Sequence, residues 1–332
     1  MLLKRLTFIA SAAALAFAAV GTATAQEFPI KDKAISLVVP FAAGGPTDRV
    51  ARDFAVALSK TMGGHSVVVE NVAGASGSIG ANKIAKASPD GHSLLLFHIG
   101  MSTLPALLRN IPFKVDTDFE YLGMVNEVPM TFLARPNLPV NNFAELTVWA
   151  KANEGKINIG NAGIGSASHL CGLMIQNAMK TDMTSIPFGG TAPAMVSLIG
   201  GQIDLMCDQT TATTTQIEAK KVKALAITTS KRVNTPVLKD LPTLQEVGFK
   251  GLEVSIWHGL YAPKGTPAAV QKKLNDALKL ALKDPEFIKK QEGLGAVIIN
   301  DSRVEPAEHK KYVSAEIAKW GPVIKAAGVY AD

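Results

Sequence analysis

The stretch Val38-Val39-Pro40-Phe41-Ala42-Ala43-Gly44-Gly45-Pro46-Thr47-Asp48-Arg49-Val50 changes its hydrophobic period midway, and that change decides the fold. Ala34 to Val39 is a short apolar run that reads as a buried strand, and it stops at Pro40. Gly44, Gly45 and Pro46 make a turn. From Thr47 onward, Val50, Phe54, Leu58 and Met62 recur every four residues, as one face of a helix does. Asp48 falls in the first turn of that helix, where the dipole favours an acid. Gly63-Gly64 ends it. Val67 to Val69 is a second strand, a small-residue loop from Ala73 to Gly80 leads into a helix ending near Ser88, and Pro89-Asp90-Gly91 turns the chain into a third strand, Ser93 to Phe97. The order β-α-β-α-β predicts a parallel sheet covered by helices.

The same grammar recurs further along. Ile157 to Ile159, Met183 to Pro187, Ile203 to Met206 and Val222 to Thr228 read as strands. Helices are expected from about Ser168 to Met179 and from Pro193 to Ile199. Ile256 to Tyr261 is another extended segment, followed by helices over Pro267 to Leu282, Pro285 to Gln291 and Pro306 to Lys325. Two α/β blocks and a helical tail predict two lobes joined by crossing strands near Val128 to Leu133 and Glu253 to Leu260. The boundaries that follow are 1–25 for a signal peptide, 26–129 plus 255–332 for a discontinuous first lobe, and 130–254 for the second.

Composition agrees. At about 100–200 residues per domain, 332 residues suggest two domains. The formal charge of +6 is modest. Its densest runs, Lys220-Lys221-Val222-Lys223 and Lys289-Lys290, are short and lack interleaved aromatics, so they read as solvated helix faces and no nucleic-acid partner is expected. Lys4 and Arg5, the apolar and small-residue run Leu6 to Val20, and Ala23-Thr24-Ala25 form a cleavable secretory signal. No cysteine follows the cleavage site to carry a lipid, and no later stretch is apolar for long enough to span a bilayer. The mature protein is expected to be soluble and periplasmic. There Cys171 and Cys207, the two cysteines of the chain, can form one disulfide; the alternative is two buried thiols.

Four strand ends carry candidate binding residues. In the first, Phe41, Ala43, Gly44, Gly45, Thr47 and Asp48 surround a strand–turn–helix junction. Gly165, Ser166, Ala167, Ser168 and His169 form the second, Gly190 and Thr191 belong to the third, and Asp208 and Gln209 to the fourth. His98 lies just past a strand end. A single such turn is an ordinary βα connection, but four at the carboxyl ends of strands mark a ligand crevice. Helix-first N–H groups and the dipole favour an anion there. No Lys or Arg precedes the helix starts, so the anion would rest on amides, hydroxyls and dipoles, an arrangement suited to reversible capture. Enzyme motifs are missing. Gly163-Ile164-Gly165-Ser166-Ala167-Ser168 begins like a dinucleotide fingerprint but lacks its third glycine. There is no phosphate-binding loop, nucleophile elbow or metal-ligand spacing, so no cofactor, metal or catalytic residue is expected.

The motifs resemble those of the Bug family, the periplasmic receptors of tripartite tricarboxylate transporters. The carrying residues are Val38 to Asp48, Val69-Glu70-Asn71 with Gly74 and Gly77, Pro89-Asp90-Gly91, Gly200-Gly201-Gln202-Ile203-Asp204, Leu241-Pro242-Thr243 and Ala262-Pro263-Lys264-Gly265-Thr266-Pro267. They run in the family's order over essentially the whole mature chain. His169-Leu170-Cys171-Gly172, Cys207-Asp208-Gln209-Thr210-Thr211, Trp257-His258-Gly259 and the tail Gly328 to Asp332 look most like the BugD branch, which is associated with aspartate. The resemblance implies a two-lobed Venus-flytrap fold of type II-like design, each lobe a mostly parallel sheet flanked by helices. It also implies a monomer that binds a small carboxylate, aspartate-like compounds first, and hands it to integral membrane subunits of the transporter. In the family the first βα loop and the Gly/Ser loop of the second lobe act as pincers on one carboxylate, partly through water; here these are Phe41 to Asp48 and Gly165 to His169. Where the family often has Tyr-Lys-Gly, this chain has Phe188-Gly189-Gly190, without the phenol and the ammonium. A periplasmic enzyme acting on a carboxylate in the same cleft is the competing reading; it needs a positioned acid–base or nucleophile pair, and none is evident. Intact mass from a periplasmic extract should show a chain starting at Gln26 with no adduct; a retained signal or a lipid mass would overturn the export reading.

Overall fold

β1 (Ile35–Val39) lies between β2 (Val67–Asn71) and β3 (Ser93–His98), parallel to both. The computed structural model describes residues 28–328 and 330, so the signal peptide and its cleavage site lie outside the described residues. The chain divides at Asp32, and everything below belongs to the unit from Lys33 onward. α1 (Pro46–Thr61) connects β1 to β2 and buries Val50, Phe54 and Leu58, the four-residue stripe read from the sequence. Proline at its first position suits a helix start, where the amide would have no intrahelical partner. α2 (Ser78–Ala85) leads to β3, and α3 (Gly100–Leu107) follows it.

β4 (Phe119–Ala134) is the axis of the molecule. From Phe119 to Pro129 it pairs antiparallel with β9 (Ser255–Pro263); from Met130 to Ala134 it pairs with β7 (Leu205–Gln209) on one side and β8 (Lys223–Ile227) on the other. Pro129 has no N–H for a ladder, and the change of partners falls directly after it. The second half of the chain adds α4 (Phe143–Ala152), β5 (Asn158–Asn161), α5 (Ala167–Met179), β6 (Thr184–Pro187), α6 (Thr191–Ile199) and α7 (Thr210–Glu218). α8 (Ala268–Ala281), α9 (Pro285–Gly293), the short β10 (Val297–Ile298) on β4, and α10 (Pro306–Ala327) follow β9. The path through the sheet is β2-β1-β3-β9-β4-β7-β5-β6. β1 to β3 form one parallel set and β5 to β7 another, while the fourth strand expected in the second block, β8, instead pairs antiparallel with β4, as β7 and β9 do.

The crossing is stitched at one residue. The Thr228 amide donates to the Met130 carbonyl at 2.9 Å, and the Met130 amide donates to the Thr228 hydroxyl at 2.9 Å. That hydroxyl donates to the Val254 carbonyl at 2.6 Å, and the Val254 amide donates back to the Thr228 carbonyl at 3.1 Å. Thr228 is completely buried. The second half is also tied internally by the Cys171–Cys207 disulfide between α5 and β7, with Cα atoms 6.0 Å apart.

Thr228→Val keeps the shape of the side chain but leaves the Met130 amide and the Val254 carbonyl without this partner. It should cost about 1–3 kcal/mol in urea unfolding. Reducing the disulfide, which spans 36 residues, should cost about 3–4 kcal/mol by loop entropy. A disulfide-free protein with an unchanged urea midpoint would contradict the second expectation.

Candidate functional site

The carboxyl ends of β1 and β3 face those of β5, β6 and β7 across a cleft of about 420 Å³. One wall carries Phe41, Thr47, the loop Ala73 to Gly77, and His98; the other carries Ser166 to Ser168, Phe188 to Pro193, Asp208 and Gln209. The walls meet at the rim. The Ser76 hydroxyl donates to the Ile164 carbonyl at 2.7 Å, and a Cβ placed on Gly190 would lie 3.3 Å from the Ala42 side chain. No lysine or arginine lines the cleft among the described residues.

Helix N-termini supply the donors. α1 and α6 have no side-chain cap. Each also has a proline in its first turn, Pro46 and Pro193, so Thr47 N–H in α1 and the Thr191 and Ala192 N–H groups in α6 are first-turn amides on the cleft wall. In α5 the Ser166 hydroxyl oxygen accepts from the His169 amide at 3.1 Å, so the Ser166 proton remains available to a ligand. Ser168 is different: its hydroxyl donates to the Cys207 carbonyl at 2.6 Å, tying α5 to β7 beside the disulfide.

The sequence-derived residues separate into those that line the cleft and those that brace it. Phe41, Ala43, Gly45, Thr47, His98, Ser166, Ala167, Ser168, Gly190, Thr191, Asp208 and Gln209 line it; Gly44, Asp48, Gly165 and His169 do not. Asp48 holds the first loop from behind. Its carboxylate accepts from the Gly44 amide, the Arg52 Nε and the Asn71 Nδ2, each at 2.9 Å. Burial alone would raise its pKa, but these bonds outweigh it and hold the group below its ordinary value. Gly44 is the glycine this loop requires, with φ of +79°, whereas Gly45 is extended and a Cβ added there would meet the Ala42 carbonyl at 3.3 Å. His169 braces the second loop by accepting from the Gly165 amide at 3.0 Å, and burial keeps its pKa low.

Two polar groups stand out on the walls. His98 accepts from the Gly100 amide through Nδ1 at 2.9 Å, stacks on Phe41 with centroids 4.4 Å apart, and is kept neutral by burial, which pulls its pKa down to about 3. Burial pushes Asp208 the other way, up to about 6, even though hydrogen bonds from the Thr191 hydroxyl and the Gln209 amide, both at 2.7 Å, pull it down. Beside it the buried Gln209 Oε1 has no partner. Asp208 and Gln209 are the last residues of β7, which runs straight into α7, so the loop expected there is a strand end.

The sequence reading did not single out the loop Ala73 to Gly77 as part of the site. Its signal is conformational: Ala75 and Ser76 have positive φ of 43° and 55° between two positive-φ glycines, a strain that collects at functional sites. The described residues contain no cluster of His, Cys, Asp and Glu able to hold a metal, and no helix long and apolar enough to cross a membrane.

A family described as "Tripartite tricarboxylate transporter family receptor" matches residues 50–329. An Agrobacterium vitis protein, the "UPF0065 protein in the TAR-I ttuE-ttuC' intergenic region", is 48% identical over 294 residues, 89% of this chain and 84% of its own. The solved structure of the periplasmic binding protein BugD is 48% identical, with a TM-score of 0.86 over 91% of this chain and 99% of that one. MatC from Rhodopseudomonas palustris, solved with bound malate, is 36% identical with a TM-score of 0.83, covering 89% and 100%. The architecture is therefore the two-lobed α/β fold of periplasmic binding proteins, and the chain belongs to the tripartite tricarboxylate transporter receptor family, whose members are solute-binding receptors and not enzymes.

Proposed function

We propose that the protein is a periplasmic receptor for a small amino dicarboxylate of the aspartate type, which it delivers to the membrane subunits of a tripartite tricarboxylate-type transporter. The observation that carries this reading is the pairing of uncapped helix N-termini with a buried acid in a cleft lined, among the described residues, by no lysine or arginine. The amides of α1, α5 and α6 suit a carboxylate. Asp208 and the unpartnered Gln209 Oε1 suit an ammonium, because both present acceptors in a dry site. A ligand carrying both groups satisfies both. The malate held by MatC is a four-carbon dicarboxylate with a hydroxyl where aspartate has its amine. Residues 26–129 with 255–332 form the first lobe in this reading and 130–254 the second, with the stitch at Thr228 beside the hinge and the ligand drawing the walls together.

Charge-assisted bonds to amides contribute roughly 1.5–3 kcal/mol each, so a few suffice for micromolar capture at about 8 kcal/mol. Calorimetry with L-aspartate, L-malate and succinate tests the reading. Gly45→Val crowds the first loop and should remove most of the affinity for all three. Ser166→Ala should cost on the order of 1 kcal/mol.

Asp208 adds a pH signature. Burial pushes its carboxyl up to about 6, and an ammonium beside it would return it toward the ordinary carboxylate range. Binding of aspartate should therefore release a proton near pH 6, and affinity should fall as pH drops from 7 to 5. In Asp208→Asn the proton release should vanish, with aspartate affinity reduced at least tenfold. Unchanged aspartate binding by Asp208→Asn would remove the amino group from the reading and leave a plain dicarboxylate.

A further inference from the structure

A chain of buried polar side chains runs from the surface to the cleft, and its direction is determined at one end. Asp53, flanked by Arg49 Nε and Lys290 Nζ at 3.5 Å each, has a carboxylate that only accepts. Gln291 Nε2 donates to it at 2.8 Å. The Gln291 oxygen therefore points inward and accepts from Asn126 Nδ2 at 3.1 Å. That orients the Asn126 oxygen toward His258 Nδ1, at 2.9 Å, so Nδ1 must carry the imidazole proton. Reversing either amide would set an oxygen against an oxygen. His258 Nε2 is left with a lone pair, and it accepts from the Thr47 hydroxyl at 3.2 Å. Asn126, His258 and Gln291 are fully buried and Thr47 is 1% exposed, so water does not scramble the order. Burial also keeps His258 neutral, with the neighbouring His98 adding to the effect.

Thr47 thus has its single proton committed and offers only lone pairs to the cleft it lines. His98 is the opposite. Its Nδ1 accepts from the Gly100 amide, so Nε2 holds the proton as a donor. The two histidines are cross-strand partners on β3 and β9, with ring centroids 6.0 Å apart.

We propose that this relay makes Thr47 a fixed hydrogen-bond acceptor beside His98 as a fixed donor, and that the pair selects carboxylates bearing an adjacent hydrogen-bond donor, an amine before a hydroxyl. The proposal rests on the carboxylate-receptor reading and gives it a specificity determinant on the wall opposite Asp208. An ammonium has three protons and can use acceptors from both walls, whereas a hydroxyl has one. Asn126 and Gln291 act only as positioning residues.

Two measurements on the mature full-length protein decide it. Nitrogen-15 NMR of the imidazoles should find His258 protonated at Nδ1 with a bare Nε2, and His98 protonated at Nε2; the reverse tautomer at His258 overturns the relay whatever the ligand. Calorimetry should show Thr47→Val lowering the aspartate-to-succinate preference about tenfold, the worth of one well-placed hydrogen bond, and Thr47→Ser restoring it. Asn126→Leu, which frees the His258 tautomer without touching the cleft, should erode the same preference. An equal loss of aspartate and succinate in Thr47→Val overturns the selection. If the wild-type protein bound neither compound, the carboxylate reading would fall, and the tautomers alone would decide the relay.

Discussion

β4 has to satisfy two sheets with one backbone. Sixteen residues in succession are committed to β9 and then to β7 and β8, and every buried amide along the way needs a partner. Pro129 eases the handover because it has no amide to place. Thr228 completes it, since one side chain supplies an acceptor to Met130 and a donor to Val254. Both crossing strands are held at this level, and the loops at the strand ends sit away from it. The two crossing strands are thereby joined through one buried hydroxyl, with no amide or carbonyl of Met130, Thr228 or Val254 left without a partner.

That rigidity comes from charges and rings placed behind the walls. Asp48 fastens the first loop through Gly44, Asn71 and Arg52. His169 fastens the second through Gly165, and Ser168 with the disulfide fastens α5 to β7. Each of these groups spends its hydrogen-bonding capacity on the scaffold. What remains for the cleft is amides, a free Ser166 proton, the His98 Nε2 proton, and the acceptors of Thr47, Asp208 and Gln209. The cationic residues closest in sequence to the first loop, Arg49 and Arg52, line a different groove together with Thr211 and Thr215.

Much of this was legible in the sequence, for identifiable reasons. The stripe Val50, Phe54, Leu58 gave α1 its phase, and the glycine-rich turns located the cleft. Of β4 only the crossing near Val128 to Leu133 reads as a strand; the rest is missed, in a stretch interrupted by Gly123 at a register shift against β9 and by Pro129 at the change of partners. α7 was hidden because Thr210, Thr211, Thr213, Thr214 and Thr215 are β-branched and weakly helical; tertiary packing overrides that preference. α4 had a readable signal in Asn142 and Glu145, a reciprocal capping pair in which Glu145 N–H donates to Asn142 at 2.9 Å. The distinction between lining and bracing was not legible. It depends on partners such as Cys207 for Ser168, which sit far along the chain and meet only in the fold.

The same logic explains why a receptor for an anion keeps arginine out of its cleft. A guanidinium facing an empty, low-dielectric cleft must be desolvated or paired internally, and a strong pair formed with the ligand slows its release. Amides at helix starts carry only partial charges, are already oriented by the backbone, and lose little when water leaves. Asp208 shows the cost that the cleft avoids elsewhere: buried without a cation, its carboxyl is driven up to about 6. A single such acid is tolerable because the Thr191 hydroxyl and the Gln209 amide both donate to it. The cleft thus divides its chemistry, with helix-start amides suited to carboxylates in several places and acceptors gathered around Asp208 and Gln209.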